Sequence, residues 1–210
     1  MKNSLIISAA LLIFPAVALA AGDPARGKAL TGACTACHQE DGSGRDNGAG
    51  ADSWPRLAGL NADYLADQLA AYKKGERRAA SMKTFAMMLD EGKAADIATY
   101  YAALPPPAAT SSTTADDAQL ARGKQLAETG DPDKQIKPCA ECHGADNRGD
   151  GKIPAITAQP APYLRAQITA WKQGDRANDS ADPKGMFQTA RQLDDADSAA
   201  VAAWLSTQAP

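Results

Sequence analysis

Apolar residues in this chain recur at the spacing of one helix face. Between residues 61 and 75, Leu65, Leu69 and Tyr72 fall at i, i+4 and i+7, which is the spacing of an amphipathic helix. An asparagine that can cap the first turn precedes this run, and a glycine that can end a helix follows it. The pattern therefore predicts a helix over Ala62–Lys74.

Similar start and stop signals predict helices elsewhere in the chain. Helices are expected after Asp23, over residues 94–104, over residues 162–174 and after Asp194. Strand signals are weak throughout. The sequence therefore predicts an all-α fold.

The helical pattern is written twice, on either side of a segment with little to bury. Residues 105–117 begin with three prolines and continue with Ala, Ser, Thr and Asp, a composition typical of an extended linker. The flanking segments, 21–104 and 118–210, carry matching residues in the same order. The matched pairs include Arg26 with Arg122, Gly27 with Gly123, Pro55 with Pro154, Tyr64 with Tyr163, Gln68 with Gln167, Arg77 with Arg176, Met82 with Met186, Leu89 with Leu193, and Tyr100 with Trp204. This ordered series predicts two tandem domains that arose by duplication.

The first twenty residues have the pattern of an export signal. Lys2 supplies a positive charge, residues 5–14 form a short apolar run, and Ala18 and Ala20 provide the small residues of a cleavage site. A retained membrane anchor is the alternative, but the run is shorter than the roughly 20 residues of a bilayer-spanning helix. We therefore expect residues 1–20 to be a signal peptide removed after Ala20, and the mature protein to be periplasmic.

Charge is spread evenly along the chain. The formal net charge is −3, and neither half has an excess of more than one charge, with ten Lys/Arg against eleven Asp/Glu in residues 22–104 and eleven against twelve in residues 118–210. A protein that binds nucleic acid normally presents a basic surface. No nucleic-acid partner is therefore expected.

The candidate chemistry lies in two Cys-x-x-Cys-His motifs. They contain every cysteine and histidine of the chain: Cys34, Cys37 and His38, then Cys139, Cys142 and His143. This motif is the attachment signature of a c-type haem, in which both thiols bond to the porphyrin and the imidazole binds the iron. Disulfides, a thioredoxin-like redox pair or half of a zinc site would each explain the cysteines. None of these explains the histidine that follows both times, so two covalent haem c groups are predicted.

Methionine is the expected second ligand of each iron. No third histidine or fifth cysteine exists, and a thioether binds haem iron well; lysine, the terminal amine and a vacant position are the alternatives. The second half offers only Met186, which aligns with Met82 in the first half. Met87 and Met88 align with polar residues instead, so we expect them to be packing residues.

Taken together, these motifs resemble the dihaem cytochrome c4 family. The resemblance covers essentially the whole chain after residue 20. It is carried by both Cys-x-x-Cys-His motifs, Trp54-Pro55-Arg56-Leu57-Ala58-Gly59, Tyr64-Leu65-x-x-Gln68-Leu69, Gly75-x-Arg77 and Met82. The second half departs from it, since Ile153-Pro154-Ala155-Ile156 lacks the following glycine and five extra residues lie between Arg176 and Met186.

The resemblance implies two cytochrome c domains related by a pseudo-twofold, each wrapped around one haem, with the haem propionates close together at the domain interface. It also implies that the carbonyl groups of Pro55 and Pro154 accept hydrogen bonds from the two histidine rings; simple turn prolines are the alternative. For Arg77 and Arg176, pairing with propionates and solvent exposure are equally open. Gly27 and Gly123 are expected to let the first and last helices of each half cross closely.

The expected function is electron transfer without catalysis. Two irons that each have both axial ligands leave no position for a substrate, and both histidines are already in use, so no hydrolase site is expected. We expect a periplasmic carrier between respiratory partners, for example from a quinol-oxidising complex to a terminal oxidase. The alternative is the dihaem subunit of a dehydrogenase, such as flavocytochrome c sulfide dehydrogenase; a dihaem peroxidase is a third option. Peripheral association with membrane complexes is left open.

Overall fold

The chain folds into short and medium α-helices joined by irregular loops. A computed structural model describes residues 22–48, 53–109, 113–149, 151–179, 181–183 and 185–210. The predicted signal peptide, residues 1–20, lies outside the described residues. The helices are α1 (Pro24–Leu30), α2 (Thr35–His38), α3 (Ala62–Lys74), α4 (Ala80–Met87), α5 (Glu91–Ala103), α6 (Asp117–Glu128), α7 (Ala140–His143), α8 (Ala161–Gln173), α9 (Met186–Gln192) and α10 (Asp195–Thr207). Two 3-10 turns, Thr31–Ala33 and Pro132–Lys134, complete the helical elements of this part of the chain.

The all-α prediction is confirmed, and most predicted helix ends are where capping chemistry places them. The side chain of Asn61 accepts the Tyr64 N–H at 3.1 Å, and α3 ends at Gly75, whose φ is +79°. Asp194 accepts the Asp197 N–H at 2.8 Å and starts α10. A left-handed residue that ends a helix is most easily a glycine, because it has no Cβ to clash with the backbone.

One predicted boundary was wrong. Helix α5 begins at Glu91, three residues before the predicted start at residue 94. The reason is Asp90, whose carboxylate accepts the Lys93 N–H at 2.8 Å and caps the helix. Helix α8 begins at Ala161 and so places Pro162 within its first turn. None of the helices within the described ranges is both long and apolar enough to cross a bilayer.

The first and last helices of each half cross at a glycine, as predicted. A Cβ atom at Gly27 would overlap the carbonyl group of Asp96 on α5, and one at Gly123 would overlap the carbonyl group of Ala200 on α10. Glycine is therefore required at both crossings, since a side chain there would push the helix backbones apart.

Each crossing is also held by an ion pair that the pattern analysis missed. Arg26 bonds Asp96 at 2.8 Å in the first half, and Arg122 bonds Asp197 at 2.8 Å in the second. Both aspartates are buried. Each buried carboxylate therefore has a cationic partner, which limits the cost of removing it from water.

A separate apolar core lies in each half, which fits two tandem domains. The first core contains Leu60, Leu65, Ile97, Ala98 and Tyr101. The second contains Leu126, Ala127, Ile136, Leu164, Ile168, Trp171, Ala190, Leu193, Val201, Ala202 and Leu205. Each core packs the long helix after the histidine motif against the last helix of its own half, and so builds one wall of a cavity described below.

The two domains meet through a short antiparallel bridge and a buried clamp. Arg77 and Arg176 form an isolated β-bridge, in which Arg78 N–H donates to Asp175 O and Ala177 N–H donates to Glu76 O, both at 2.7 Å. An antiparallel bridge between equivalent residues has a local twofold, in agreement with the predicted pseudo-twofold.

The clamp joins Arg56 of the first domain to the second domain. Its backbone N–H and C=O groups bond the side-chain amide of Gln159 at 2.9 and 3.0 Å, and its guanidinium bonds the carbonyl groups of Ala58 and Thr157. The Arg56 side chain is fully buried, and burial lowers its pKa to about 10. Arg56 stays charged at neutral pH and ties the domains together through backbone oxygen atoms.

Candidate functional site

The two Cys-x-x-Cys-His motifs each form a single short turn of helix. Cys34 is the N-cap of α2, Cys37 lies three residues later within the helix, and His38 is its last residue. Helix α7 holds the second motif in the same way. Residues three or four positions apart lie on the same side of a helix, and each histidine is four residues after the first cysteine of its motif. Each turn therefore presents two thiols and one imidazole to the same side.

The cysteine alternatives are not supported. No two of the four cysteines are joined in a disulfide, and within the described residues no group of His, Cys, Asp and Glu side chains could hold a metal ion among themselves. Burial raises the pKa of the Cys139 thiol to about 11 and raises that of Cys34 as well. Disulfides, a thioredoxin-like redox pair and half of a zinc site are therefore disfavoured.

Both histidine rings are oriented by a proline carbonyl group, as the resemblance implied. The Nδ1 atom of His38 lies 2.9 Å from Pro55 O, and that of His143 lies 2.7 Å from Pro154 O. A carbonyl oxygen only accepts, so Nδ1 carries the proton and Nε2 keeps its lone pair. Burial also lowers the pKa of both rings. Burial therefore favours the neutral imidazole, which is the state that binds a metal.

One cavity joins all the predicted site residues. It has a volume of about 1600 Å³ and spans both domains. Its lining includes Cys34, Cys37, His38 and Met82 of the first domain and Cys139, Cys142, His143 and Met186 of the second. The structure thus brings the eight residues to one cavity, while the pairing of each methionine with an iron stays a prediction.

Met87 and Met88 are not packing residues, and that prediction was wrong. Their exposed fractions are 57% and 61%, and neither lines the cavity. The reason is that Met87 is the last residue of α4 and Met88 its C-cap, so both lie at an exposed end of the helix. The aligned positions in the second domain hold Arg191 and Gln192, both exposed, so these positions face water in both halves. This exposure leaves Met82 as the cavity methionine of the first domain.

Arg77 and Arg176 are buried, so of the two alternatives left open for them, solvent exposure was wrong. Together with Gln68, Gln167, Tyr64 and Tyr163 they form what is here called the arginine cluster. Arg77 donates to Gln68 Oε1 at 3.0 Å, to Gln167 Oε1 at 2.7 Å and to Tyr163 Oη at 2.9 Å. Arg176 donates to the same two glutamine oxygens at 3.0 Å each and to Tyr64 Oη at 3.2 Å.

The arginine cluster is positively charged and faces the cavity. All six members line it, and the hydrogen bonds of both guanidinium groups in the described residues go to amide and hydroxyl oxygens. Burial raises the pKa of Tyr64, but Arg176 and Arg77 outweigh it, and the pKa lies below its usual value. Two buried cations beside one cavity make a site suited to anionic groups.

Comparison with known proteins agrees with this geometry. A family model described as cytochrome c matches residues 24–119 and again residues 120–209. Cytochrome c4 of Pseudomonas aeruginosa is 32% identical over 206 residues, covering 97% of this chain and 98% of that protein. The chain belongs to the dihaem cytochrome c4 family.

Two further likenesses concern thiosulfate oxidation. The thiosulfate dehydrogenase electron acceptor of Thiomonas intermedia (strain K12) is 41% identical over 177 residues, covering 83% of this chain and 78% of that protein. The solved structure of a thiosulfate dehydrogenase from Marichromatium purpuratum matches with a TM-score of 0.78 and 34% identity over 88% of this chain. This chain spans 40% of that longer chain.

As a member of the cytochrome c4 family, the chain binds two haem c groups covalently and carries electrons. The residues fit this cofactor. Each domain offers two thiols, a neutral imidazole with its Nε2 atom free, and a methionine around a largely apolar cavity, and the arginine cluster supplies positive charge for carboxylate side chains of a porphyrin.

The sequence predicted the thiols, imidazoles and methionines that line the cavity, but not how the arginine cluster is built. The available signal was the recurrence of Tyr, Gln and Arg at matching positions in both halves. That recurrence marked the residues as important without showing that the two sets bond each other.

Proposed function

We propose that this protein is a periplasmic electron carrier in which side chains of the chain itself supply the protein ligands of both irons. In this proposal His38 and Met82 hold one iron and His143 and Met186 hold the other, with the four cysteines as the covalent attachment points. The supporting observation is that all eight residues line one cavity while Met87 and Met88 are exposed. The proposed domains are residues 21–104 and 118–210, joined by a linker over 105–117 and preceded by a signal peptide over 1–20.

Bound haem c supplies one-electron exchange, and the chain supplies a fixed environment for it. The proline carbonyl groups hold each imidazole in one tautomer and one orientation. The cavity walls, including Leu60, Leu65, Ile97, Leu164 and Ile168, keep water away from the site. The arginine cluster crosses from one domain to the other, so a change of charge in either domain is felt by the same side chains. These features favour carriage of electrons over turnover of a substrate.

We propose that the partners are redox proteins of a respiratory chain. The expected route runs from a quinol-oxidising complex to a terminal oxidase. A specific observation favours a second route, since the Thiomonas relative at 41% identity is named an electron acceptor of thiosulfate dehydrogenase and a thiosulfate dehydrogenase shares the fold. In that second route a dehydrogenase reduces this protein directly.

Reduction kinetics separate the two routes. The oxidised dihaem protein is mixed with purified thiosulfate dehydrogenase and thiosulfate, or with a quinol-oxidising complex and quinol, and the appearance of ferrous bands is followed by stopped flow. If only one of the two donors reduces the protein rapidly, that donor identifies the route. A carrier role requires fast reduction by at least one donor and fast reoxidation by a terminal oxidase. Turnover of hydrogen peroxide by the isolated protein would instead support a peroxidase.

A further inference from the structure

Asp179 holds the backbone at Met186 from seven residues upstream. Its Oδ2 atom accepts the Met186 N–H at 2.6 Å, and its Oδ1 atom accepts the indole N–H of Trp171 at 3.0 Å. Met186 is the first residue of α9, and the residue before it, Gly185, has no side chain that could cap the helix. The carboxylate therefore satisfies a helix N–H that would otherwise lack a partner.

The two groups that Asp179 joins are both well anchored. Trp171 is buried in the second core, and the guanidinium of Arg176 lies 3.8 Å from the centroid of its ring. The start of α9 is anchored by two backbone hydrogen bonds in the loop before it, from Asp182 N–H to Asp179 O and from Gly185 N–H to Asp182 O, both at 3.0 Å. The start of α9 is thereby tied to the arginine cluster through one carboxylate.

Gly185 leaves the space that this contact needs. A Cβ atom at Gly185 would lie 2.9 Å from Asp179 O and 3.0 Å from Asp179 Oδ2. A side chain at that position would displace the carboxylate from the Met186 N–H. The glycine and the aspartate therefore act as a pair within the segment where this chain departs from the family pattern.

The first domain has no equivalent of this contact among its described residues. Helix α4 starts after Ala79, which makes no side-chain cap bond. Tyr72 occupies the place of Trp171 within its helix, and it has no ring N–H to offer. The two methionines are therefore held differently: within the described residues, only the backbone of Met186 is bonded to a carboxylate that also bonds a buried aromatic side chain.

We infer that Asp179 is a positioning residue for Met186. The inference rests on the proposed role of Met186 as a ligand of the second haem iron. By fixing the first turn of α9, Asp179 keeps the thioether in place, so that the second ferric haem resists exchange of its methionine for an external ligand. In that exchange the Met186 sulfur leaves the iron and an external nitrogen atom takes its position, with no change in the oxidation state.

Imidazole binding to the oxidised dihaem protein tests the inference. The far-red sulfur-to-iron band and the hyperfine-shifted methionine methyl signals of each haem are followed during an imidazole titration. In Asp179→Ala, imidazole affinity at the second haem should rise by about tenfold or more, because a charge-assisted hydrogen bond is lost. Affinity at the first haem should not change. Asp179→Asn, which keeps the size of the side chain, and Trp171→Phe, which removes the indole N–H, should give smaller rises in the same direction.

Asp175→Asn is the matched control, since Asp175 carries the same charge four residues earlier and bonds Arg78 instead of Trp171 or Met186. Wild-type imidazole affinity in all three test variants overturns the positioning role, and so does an equal rise in the control. Met186→Ala tests the underlying ligand assignment separately. Loss of the second methionine signals in that variant supports the assignment, and their persistence overturns the assignment and the positioning role together.

Discussion

Arg77 and Arg176 face each other across the domain interface, and each guanidinium bonds the glutamines of both domains. Gln68 Oε1 and Gln167 Oε1 each accept from both arginines, at distances between 2.7 and 3.0 Å. The same two arginines pair through their backbones. Neither domain contains a complete copy of this cluster, so the polar floor of the cavity exists only when the domains are docked.

Loss of one arginine should therefore affect both domains. Arg77→Gln removes a buried cation with three hydrogen bonds, and a hydrogen bond to a charged group contributes about 1.5–3 kcal/mol. We expect unfolding to become easier by about 3 kcal/mol and both reduction potentials to fall, because positive charge near a haem favours the ferrous state. Unfolding in guanidinium chloride measures the change in stability. A redox titration that resolves both haems measures the two reduction potentials.

The control for this experiment is Arg78→Gln. Arg78 is the next residue, but its side chain is 71% exposed and pairs with a partly exposed Asp175. An exposed pair of this kind contributes little to stability, so both potentials should stay close to wild type. A fall confined to one haem in Arg77→Gln would contradict the shared cluster.

The methionine assignments predict opposite results for Met82 and Met87, which lie on the same helix. Met82→Ala should remove the far-red sulfur-to-iron band of the first ferric haem and sharply lower its potential, since the thioether stabilises the ferrous state. Met87→Ala should leave the band and both potentials unchanged, because Met87 is exposed and outside the cavity. Absorption spectra of the two oxidised variants show which of the two methionines binds the first iron. A band that survives in Met82→Ala would show that another group binds the first iron.

The glycine crossings predict which small substitutions the fold rejects. Gly123→Ala places a Cβ against the carbonyl carbon and oxygen of Ala200, which are backbone atoms that cannot rotate away. Overpacking of this kind costs about 1–3 kcal/mol, and the thermal midpoint should fall accordingly. Gly92→Ala is the matched test inside α5, where the nearest atom is Asp90 Oδ1 at 3.5 Å. It should stabilise the protein by about 0.5–1 kcal/mol.

Acid should weaken the crossing of α6 and α10. Burial raises the pKa of the Asp197 carboxyl, but hydrogen bonds from Arg122 and Lys134 outweigh it and hold the pKa below its usual value. A carboxyl whose pKa is lower in the folded chain contributes its full stability above about pH 4, and that contribution is lost as the pH falls through the folded-state value. The free energy of unfolding should therefore decline below pH 4 in the wild type. In Asp197→Asn the decline should be shallower, and identical profiles for the two proteins would count against this ion pair as a source of acid sensitivity.

Part of the site could be predicted from the sequence because the residues that form it lie only a few positions apart. Two thiols and an imidazole within five residues act on one turn of helix, and caps such as Asn61 and Asp194 bond residues three positions away. Met82 and Met186 were predicted as ligands by aligning two copies within one chain, which replaces a comparison between proteins. Errors arose where the decisive neighbour was overlooked, as with Asp90 at the start of α5, or where exposure depended on the path of the chain, as with Met87 and Met88.

The sequence by itself determined the helical class, the repeated unit and the two haem attachment motifs, and it predicted one methionine ligand in each half. These follow from spacing, capping and residue inventory, which act over a few positions or by simple elimination. Only the tertiary structure decided that Arg77 and Arg176 are buried against each other's glutamines, that Arg56 clamps the second domain, and that Asp179 joins the Met186 backbone to Trp171. Those relationships join residues whose chemistry is compatible with many partners, and the choice among them depends on how the two domain surfaces and the loops come together in space.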